Sequence, residues 1–334
     1  MDYPDFKICV HCFTFNQSKY IVDALNGFVM QQTNIPFVCI IIDDASTDGE
    51  QEVIRAYFDQ NFDICNETIA FKKNTENAYV MYAQHKDNKN CYFAISLLKE
   101  NHYSVRRSKK PYMQEWQSSC KYVAICEGDD YWTDPHKLQK QADFLDVNPQ
   151  CSLTYHACKN VFSTQCKVNG IYAENVKQSY LDVDLVDYPF QTATVMYRKE
   201  IIDSELYKKA TAIGCTFGDA ILYLTASRFG TIEGVNEQMS VYRRHEGGIS
   251  QHMYDMDKLW KNFRDWQNVA LLFGGEIGEK IKEVKLGYFI YYAITNRKYR
   301  LVLKMLYSSI FKTSMSVAVG LKLSYNYYYH RLFK

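Results

Sequence analysis

Residues 37–44 read Phe-Val-Cys-Ile-Ile-Ile-Asp-Asp, six apolar side chains in succession followed by two carboxylates. A short apolar run rich in β-branched residues is typical of a parallel strand that is buried on both faces. Residues 8–13 have the same character, and apolar residues recur with helical spacing between residues 21 and 29. Repeated strand–helix–strand units joined by short loops predict an α/β fold: a doubly wound, mostly parallel sheet with helices on both faces.

A second strand followed by an acidic turn is predicted at residues 122–130. Tyr122–Cys126 is apolar, and Glu127-Gly128-Asp129-Asp130 follows it. Because ligands of such sheets bind beyond the carboxyl ends of the strands, both acidic turns are predicted to lie on one edge of the sheet. The capping-box pattern Thr47–Glu50 predicts the start of a helix. Residues 73–118 are polar and give no clear assignment, and we interpret their basic cluster, residues 106–110, as a solvated loop.

Composition limits the classes of protein that this chain of 334 residues can form. Hydrophobic residues make up 47% and charged residues 23%, which excludes a disordered or fibrous protein. The eleven cysteines are scattered and odd in number, which favours reduced thiols in a cytosolic protein. Charges near the N-terminus argue against a signal peptide, and no uncharged apolar run approaches the ~20 residues that span a bilayer.

Charge is unevenly distributed, although the net charge is +1. Residues 285–334 contain nine Lys and Arg residues and no Asp or Glu, so the rest of the chain is net acidic. A basic, tyrosine-rich tail on an acidic body predicts contact with an anionic surface. The alternative for the same residues is a helical cap on the body or a contact between subunits.

Several common nucleotide-, phosphate- and zinc-binding motifs are missing from the sequence. It contains no G-x-G-x-x-G, no G-x-x-x-x-G-K-[ST] and no H-E-x-x-H. A sheet edge with two acidic turns and no glycine loop favours a phosphate ligand held through Mg²⁺ or Mn²⁺, which prefer oxygen ligands. Either acidic pair alone is equally well explained as a solvated turn. Two pairs on one edge, the second followed by Tyr131-Trp132, favour the metal-assisted site.

Short motifs along the chain resemble those of family-2 glycosyltransferases. Thr14-Phe15-Asn16 resembles T-[YF]-N, residues 42–48 the D-D-x-S-x-D turn, and residues 126–135 the E-G-D-D-Y-W-x-D-P variant of bacterial capsule, O-antigen and exopolysaccharide enzymes. Gly218-Asp219 and residues 242–250 fit later motifs of that family. The resemblance implies a GT-A catalytic domain over residues 1–250, with a nucleotide-sugar-binding half over 1–132 and an acceptor-binding half over 133–250. A basic, aromatic-rich helical extension would follow over residues 251–334.

The resemblance also implies roles on the donor side. Phe13 and Phe15 would flank the base, with Phe15 stacked on it. Asp44 would accept a hydrogen bond from N3–H of the base, which favours uridine or thymidine over guanosine. Asp129 would lie near the ribose or the sugar, and Asp130 would ligate the Mn²⁺ or Mg²⁺ ion that bridges the two phosphates.

Other residues take their expected roles from the same resemblance. His245 would lie near the diphosphate, as a metal neighbour or as a donor to the departing phosphate. Thr192 is expected to contact the acceptor, and Trp132 and Arg243 are assigned to the acceptor side or to other parts of the site. Asp219 is the candidate base.

The predicted reaction needs a cation and a base. Breaking the anomeric C–O bond expels a nucleoside diphosphate, and a divalent cation stabilises its growing charge. The attacking hydroxyl must lose a proton, which calls for a carboxylate. At a helix start the dipole would keep Asp219 ionised while burial would oppose this, and the alternative is that Asp219 only caps its helix. A single in-line displacement inverts the anomeric centre.

We therefore predict an inverting, metal-dependent glycosyltransferase of hexosyl or N-acetylhexosaminyl type. Its donor would be a UDP-sugar and its acceptor a glycan or lipid-linked saccharide in bacterial surface polysaccharide synthesis, with no nucleic-acid partner. We expect it in the cytoplasm, peripheral to the inner face of the membrane through residues 285–334. A nucleotidyltransferase is disfavoured because a glycine-rich, basic triphosphate loop is missing. A non-catalytic carbohydrate-binding or scaffolding relative is disfavoured by the presence of Asp44, Asp130 and Asp219 together.

Overall fold

The structure is a computed structural model that describes residues 3–66, 69–162, 168–171, 185, 190–245, 256–295 and 297–312. Within these residues the chain forms two compact units. The first lies within residues 1–179, 190–201 and 226–245, and the second within 180–189, 202–225 and 246–334. Segment 202–225 therefore groups with the C-terminal helices, whereas the sequence placed it in the acceptor-binding half of residues 1–250.

The first unit is built on one sheet with a parallel centre. Its described strands are β1 (Ile8–Thr14), β2 (Phe37–Asp43), β3 (Phe71–Asn74), β4 (Ala78–Gln84), β5 (Cys91–Leu98), β6 (Tyr122–Ile125), β7 (Tyr131–Trp132), β8 (Cys151–Phe162), β9 (Val168–Ile171), β10 (Met196–Arg198) and β11 (Thr231–Arg244). The strand order is β3-β4-β5-β2-β1-β6-β10-β8-β11-β7, and β9 pairs with β8. Strands β5, β2, β1 and β6 are parallel neighbours, and antiparallel pairs join β3, β4 and β10 to them. The predicted α/β class with a parallel sheet is confirmed at this centre.

Burial explains why β1 and β2 lie in the middle of the sheet. Every residue of β2 is buried, as is every residue of β1 except Phe13. A strand without a polar face needs cover on both sides. The register pairs Thr14 with Asp43 and His11 with Ile125. The turns that follow β2 and β6 therefore share one edge of the sheet, as the sequence predicted.

The first unit contains helices α1 (Ile21–Val29), α2 (Glu50–Asn61), α3 (Pro111–Gln114) and α4 (Lys137–Val147). Helix α1 buries the predicted stripe of Ile21, Leu25 and Phe28. The predicted helix start is confirmed, since α2 begins at Glu50, but its N-cap is Gly49, in the left-handed region at φ 90°, and not Thr47. The buried Glu50 carboxylate turns toward the loop after β1 instead, where it accepts a hydrogen bond of 2.8 Å from the Gln17 N–H.

Residues 73–118 contain two complete strands that the sequence analysis did not assign. Strand β5 is buried along its whole length and pairs in parallel with β2, and β4 pairs with β5 in the opposite direction. The parallel centre therefore extends one strand beyond β2.

The remaining helices of the described residues lie in the C-terminal half of the chain. The helices are α5 (Glu200–Asp203), α6 (Glu205–Thr211), α7 (Gly218–Ala226), α8 (Met256–Phe273), α9 (Gly275–Thr295) and α10 (Tyr299–Lys312). Phe217 stacks on Trp266 with ring centroids 4.1 Å apart, which packs the start of α7 against α8 and explains why segment 202–225 groups with these helices. In the described ranges no helix combines the length and apolar character needed to cross a bilayer. Motif residues 246–250 and tail residues 313–334 lie outside the described residues.

Candidate active site

Three turns meet at the carboxyl edge of the central strands. They follow β1 at residues 14–18, β2 at residues 43–50 and β6 at residues 127–130. The Gly128 N–H donates to the Phe13 carbonyl at 3.3 Å, and the Asp44 N–H donates to the Thr14 carbonyl at 3.0 Å. Main-chain hydrogen bonds therefore hold the two acidic turns on either side of the turn after β1.

The T-F-N and D-D-x-S-x-D motifs bind each other. The Asn16 side-chain oxygen accepts a hydrogen bond of 2.8 Å from the Thr47 N–H, and the Asn16 N–H donates to the Ser46 hydroxyl at 2.8 Å. The Asp48 carboxylate accepts a bond of 2.9 Å from the Ser18 N–H. Asn16 itself is held at φ 55°. These motif residues therefore fix the shape of the site's floor through hydrogen bonds within the protein.

Asp44 lies at this edge, buried against a loop that crosses it. Its carboxylate accepts hydrogen bonds from the N–H groups of His102 at 2.7 Å and Tyr103 at 3.0 Å. The Lys109 ammonium lies 2.8 Å from Oδ2 of Asp44. The basic cluster 106–110 is thus only partly a solvated loop, because Lys109 is an ion-pair partner of a predicted site residue. The sequence of residues 106–110 does not indicate which of these basic side chains would face the interior.

The two predicted base-flanking phenylalanines differ in their surroundings. Phe13, at the end of β1, is partly buried, and the Lys109 ammonium lies 6.0 Å from its ring centroid. Phe15 is 44% exposed. The structure therefore brings Phe13, Asp44 and Lys109 together, and Phe15 offers an open aromatic face at the same turn.

The Asp129 carboxylate and the His245 imidazole are in contact at this edge. Nε2 of His245, which follows β11, lies 2.9 Å from Oδ2 of Asp129 in the turn after β6. Both side chains are mostly buried but reach solvent, and the Tyr20 ring lies 4.8 Å from the imidazole. A carboxylate and an imidazole are thus fixed side by side by two neighbouring parts of the sheet.

Asp130 faces the interior, which is at odds with its predicted role as the metal ligand. The residue is 2% exposed, and its Oδ1 accepts a hydrogen bond of 2.8 Å from the Arg243 N–H. Burial raises the pKa of its carboxyl well above the usual range, and the nearby Asp129 and Glu127 carboxylates raise it further. A side chain in this position braces the acidic turn against β11, whereas Asp129 is turned toward His245.

Trp132 and Arg243 also support the turn. Trp132 is 2% exposed and its indole N–H donates to the Ala193 carbonyl at 2.8 Å, so of its two predicted placements, the acceptor side or another part of the site, the structure favours the second, as a buried support of the turn. The Arg243 guanidinium donates to the Asp129 carbonyl at 3.2 Å, forms an ion pair with Asp23 and lies 4.4 Å from the Tyr131 ring centroid. Arg243 therefore clamps the chain on which the Asp129 carboxylate is mounted.

Thr192 is tied to an acidic residue that the sequence analysis named only as part of a motif. Its hydroxyl donates to Oε2 of Glu127 at 2.8 Å, and residues 192–194 form a turn of 3-10 helix. The Ala193 carbonyl in that turn is the Trp132 acceptor. Glu127 and Trp132 thus connect the predicted acceptor segment to the acidic turn.

Asp219 belongs to the second unit, in the first turn of α7. Its Oδ1 accepts a hydrogen bond of 2.9 Å from the Ala220 N–H. Burial raises the pKa of its carboxyl, although that backbone hydrogen bond and the Lys285 ammonium oppose the rise. The environment therefore gives Asp219 a greater proton affinity than an exposed aspartate has.

Part of the sequence matches a known family. Residues 9–86 match the glycosyl transferase family 2 model. The uncharacterized protein Rv1520 of Mycobacterium tuberculosis is 29% identical over 250 residues, which are 74% of this chain and 62% of that protein. An uncharacterized glycosyltransferase of Nostoc sp., alr2836, is 23% identical over 261 residues, 74% of this chain and 67% of the relative. The chain thus spans less than two thirds of the length of the mycobacterial protein.

The fold is similar to that of a solved glycosyltransferase structure. The crystal structure of S. aureus TarS 1–349 in complex with UDP-GlcNAc gives a TM-score of 0.55 at 17% identity, covering 87% of this chain and 73% of that chain. The parallel centre and the acidic turns at its carboxyl edge define the class of the fold as GT-A. Residues 9–86 therefore resemble family-2 glycosyltransferases, and the chain shares the fold of a solved glycosyltransferase.

Proposed function

We propose that this protein transfers a sugar from a UDP-sugar to a hydroxyl group of a glycan or a lipid-linked saccharide, with inversion of the anomeric centre. The observation that carries the proposal is the Asp129–His245 pair at the carboxyl edge of the parallel strands. Ligands of α/β sheets bind at that edge. The likeness in fold to a protein crystallised with UDP-GlcNAc supports a uridine donor.

The donor atoms at this edge fit a divalent cation. Asp129 supplies a carboxylate oxygen and His245 an imidazole nitrogen, 2.9 Å apart. Atoms bound side by side to an octahedral ion, each about 2.1 Å from it, are about 3 Å apart. Within the described ranges no three His, Cys, Asp or Glu side chains group to hold a metal. The remaining ligands would therefore be diphosphate oxygens and water, which is the usual mode for Mg²⁺ and suits Mn²⁺ as well.

We therefore propose Asp129 as the metal ligand in place of Asp130, which the sequence motif had indicated. When bound, the cation neutralises charge that develops on the departing diphosphate. Asp129 and His245 would hold it, and the Arg243 clamp on the Asp129 carbonyl would keep the turn in place. Asp130 would maintain the backbone of that turn through its hydrogen bond to the Arg243 N–H.

The base would bind beside Phe13 and Phe15. Oδ1 of Asp44 accepts one hydrogen bond, from the His102 N–H, and a carboxylate oxygen has room for a second donor. The N3–H of uracil is such a donor. Phe15 would stack on the base, because its exposed ring lies at the same turn.

Asp219 would accept the proton of the attacking hydroxyl. A base works best when its pKa lies near the working pH, and burial raises the pKa of Asp219 in that direction. Thr192 would contact the acceptor. We place the enzyme in the cytoplasm at the inner face of the membrane, in the synthesis of a bacterial surface polysaccharide, because residues 285–334 are basic and lack acidic residues.

Calorimetric titration of UDP, GDP and TDP, each with Mn²⁺ and with EDTA, tests the donor site. We expect metal-dependent binding of UDP that Asp129→Asn weakens at least about tenfold. The control variant Asp143→Asn removes the same charge from the exposed face of α4 and should bind like the parent. Tighter binding of GDP would contradict the uracil contact of Asp44. A protein that binds no diphosphate under any condition would instead be a non-catalytic carbohydrate-binding relative.

A further inference from the structure

A cavity of about 550 Å³ lies at the turn between α9 and α10, within the second unit. Its walls include two aromatic rings and four cationic side chains, namely Trp260, Tyr299, Arg297, Lys298, Arg300 and Lys304. The Lys304 ammonium lies 4.3 Å from the centroid of the Trp260 ring. The cavity therefore combines flat apolar surface with a concentration of positive charge.

The cations of this cavity have no acidic partners in the described part of the chain. Elsewhere in the same helices lysines are paired: Lys261 lies 2.5 Å from Asp265, and Lys282 lies 2.6 Å from Glu279. With the described residues, Arg297, Lys298 and Arg300 form no such ion pair. The chain segment that supplies these cations offers no acidic residue either, because residues 285–334 contain no Asp or Glu. A cavity lined in this way favours an anion.

The backbone adds to the positive potential. Helix α10 has 14 residues and begins at Tyr299, so the positive end of its dipole lies at the cavity, although the Leu301 and Val302 N–H groups already donate to the Lys298 carbonyl. A phosphate group combines negative charge with several acceptor oxygens, which suits both guanidinium groups and helix N–H donors. Phosphate is thus the anion that this set of donors would bind.

The exposed face of α10 identifies the carrier of the phosphate. Tyr299, Leu303 and Tyr307 are 61%, 66% and 67% exposed and follow each other at intervals of four residues, so they form one stripe along the helix. Arg300 and Lys304 each lie one residue beyond a member of this stripe. Tyrosine and leucine beside Lys and Arg are typical of helices that lie in the headgroup layer of a membrane. A soluble phosphorylated sugar would not need the exposed Leu303.

We propose that this cavity binds the phosphate headgroup of an anionic phospholipid and that α10 lies in the headgroup layer through Tyr299, Leu303 and Tyr307. Arg297, Lys298, Arg300 and Lys304 contact the phosphate, and the Trp260 ring packs against the apolar part of the headgroup. The site gives the proposed membrane contact of residues 285–334 a defined position in the fold. It does not depend on the donor site, which lies in the first unit.

Sedimentation with vesicles tests the proposal. The full chain should bind vesicles made of a mixture of phosphatidylglycerol and phosphatidylcholine. It should not bind vesicles made only of phosphatidylcholine. The variant Arg300→Glu/Lys304→Glu should lose at least about tenfold in partitioning, because each basic residue near an anionic surface adds to the attraction. Tyr299→Ser/Leu303→Ser should also weaken binding while the net charge stays the same. Circular dichroism and UDP titration, expected to be unchanged, verify that each variant is folded.

A matched control separates the cavity from net charge. Lys73→Glu/Lys209→Glu makes the same charge change at exposed positions of β3 and α6. An equal loss in this control would overturn the proposal, since overall charge would then explain the binding. Saturable binding of glycerol 3-phosphate or glucose 1-phosphate that Arg300→Glu/Lys304→Glu abolishes, without vesicle binding, would overturn the lipid assignment in favour of a soluble phosphorylated ligand. Vesicle binding that persists in Asp129→Asn would separate this site from the donor site.

Discussion

His245 Nε2 lies 2.9 Å from Asp129 Oδ2 and thereby joins the end of β11 to the turn that follows β6. The neighbouring Asp130 faces the other way, toward the Arg243 N–H. Two adjacent carboxylates of one motif therefore have opposite surroundings: one is available to a ligand, and the other belongs to the protein interior.

The first prediction separates these two carboxylates. Asp129→Asn should abolish the effect of Mn²⁺ on UDP affinity, whereas Asp130→Asn should retain UDP affinity within about threefold. The reason is that the pKa of Asp130 is raised, so the site already favours a neutral side chain, and the amide oxygen of Asn can still accept the Arg243 N–H bond. Calorimetry with and without Mn²⁺ measures both. If Asp130→Asn loses metal-dependent binding and Asp129→Asn keeps it, the metal ligand is Asp130.

The second prediction concerns the ion pair at the base subsite. Lys109→Met should lower the free energy of unfolding by about 1–2 kcal/mol, because it leaves a buried Asp44 carboxylate without its cation. Lys110→Met changes the exposed neighbouring residue and should stay within about 0.5 kcal/mol of the parent. Urea unfolding at neutral pH gives both values. Equal effects of the two substitutions would show that the pair contributes nothing specific.

The third prediction concerns the close approach of the acidic turn to the turn after β1. A Cβ atom at Gly128 would lie 2.2 Å from the Thr14 hydroxyl oxygen and 2.7 Å from the Thr14 Cβ, so the turn must shift to admit an alanine. We expect Gly128→Ala to cost about 1–3 kcal/mol of stability and to weaken UDP binding, because Asp129 is the next residue. Gly218→Ala, whose Cβ would meet no atom of the described residues within 4 Å, is the matched control. A Gly128→Ala protein as stable as the Gly218→Ala protein would refute the tight contact.

The fourth prediction tests Asp219 as the base. The pKa of its carboxyl is raised by burial, so activity should fall with decreasing pH at a value above the ordinary pKa of about 3.9 for aspartate. Asp219→Asn should reduce kcat by about 10²–10⁴-fold and remove this acidic limb of the pH profile. A raised carboxyl pKa destabilises the fold as pH rises through it, so Asp219→Asn should be the more stable protein at pH 7. If Asp219→Asn keeps both its activity and the acidic limb of the pH profile, Asp219 is not the base and only caps its helix.

Sequence patterns were sufficient for the centre of the sheet and for the edge that carries the site. β2 is an unbroken apolar run up to Asp43 and β1 is interrupted only by His11 before Thr14, and the centre of a parallel sheet buries both faces of such strands. The apolar run Cys91–Leu98 could also have been assigned as a strand from the sequence. It was not assigned because the segments on either side of it are polar.

The orientation of individual side chains was harder to predict. Asp129 and Asp130 are adjacent in the sequence, and only the path of the turn decides which of them faces His245. The burial of Trp132 and the inward position of Lys109 depend likewise on segments distant in the sequence, Ala193 and Asp44. Spacing within a motif contains no information about such partners.

The fifth prediction is that Lys137, a buried residue next to Trp132, makes the stability of the protein depend on pH. Lys137, the first residue of α4, is completely buried, and its ammonium lies 3.9 Å from the Trp132 ring centroid. Burial lowers the pKa of this lysine to about 7, whereas in the unfolded chain it is about 10.4. As pH falls from 10 to 7 the unfolded chain takes up a proton that the folded protein does not, so stability falls over this window and levels off below it.

Lys137→Met removes that titration. The variant should therefore gain stability over the parent as pH falls from 10 to 7, by several kcal/mol and at most about 5 kcal/mol, since one pKa unit corresponds to 1.36 kcal/mol. Lys140→Met, on the same helix, is the control: the pKa of Lys140 is raised by Asp134 and Glu237, so its substitution should give a difference from the parent that does not change between pH 7 and 10. Urea unfolding of the three proteins at pH 7, 8, 9 and 10 measures the effect. If the parent and Lys137→Met curves run parallel over that range, the Lys137 amine is charged in the folded protein and the contact with Trp132 compensates for its burial.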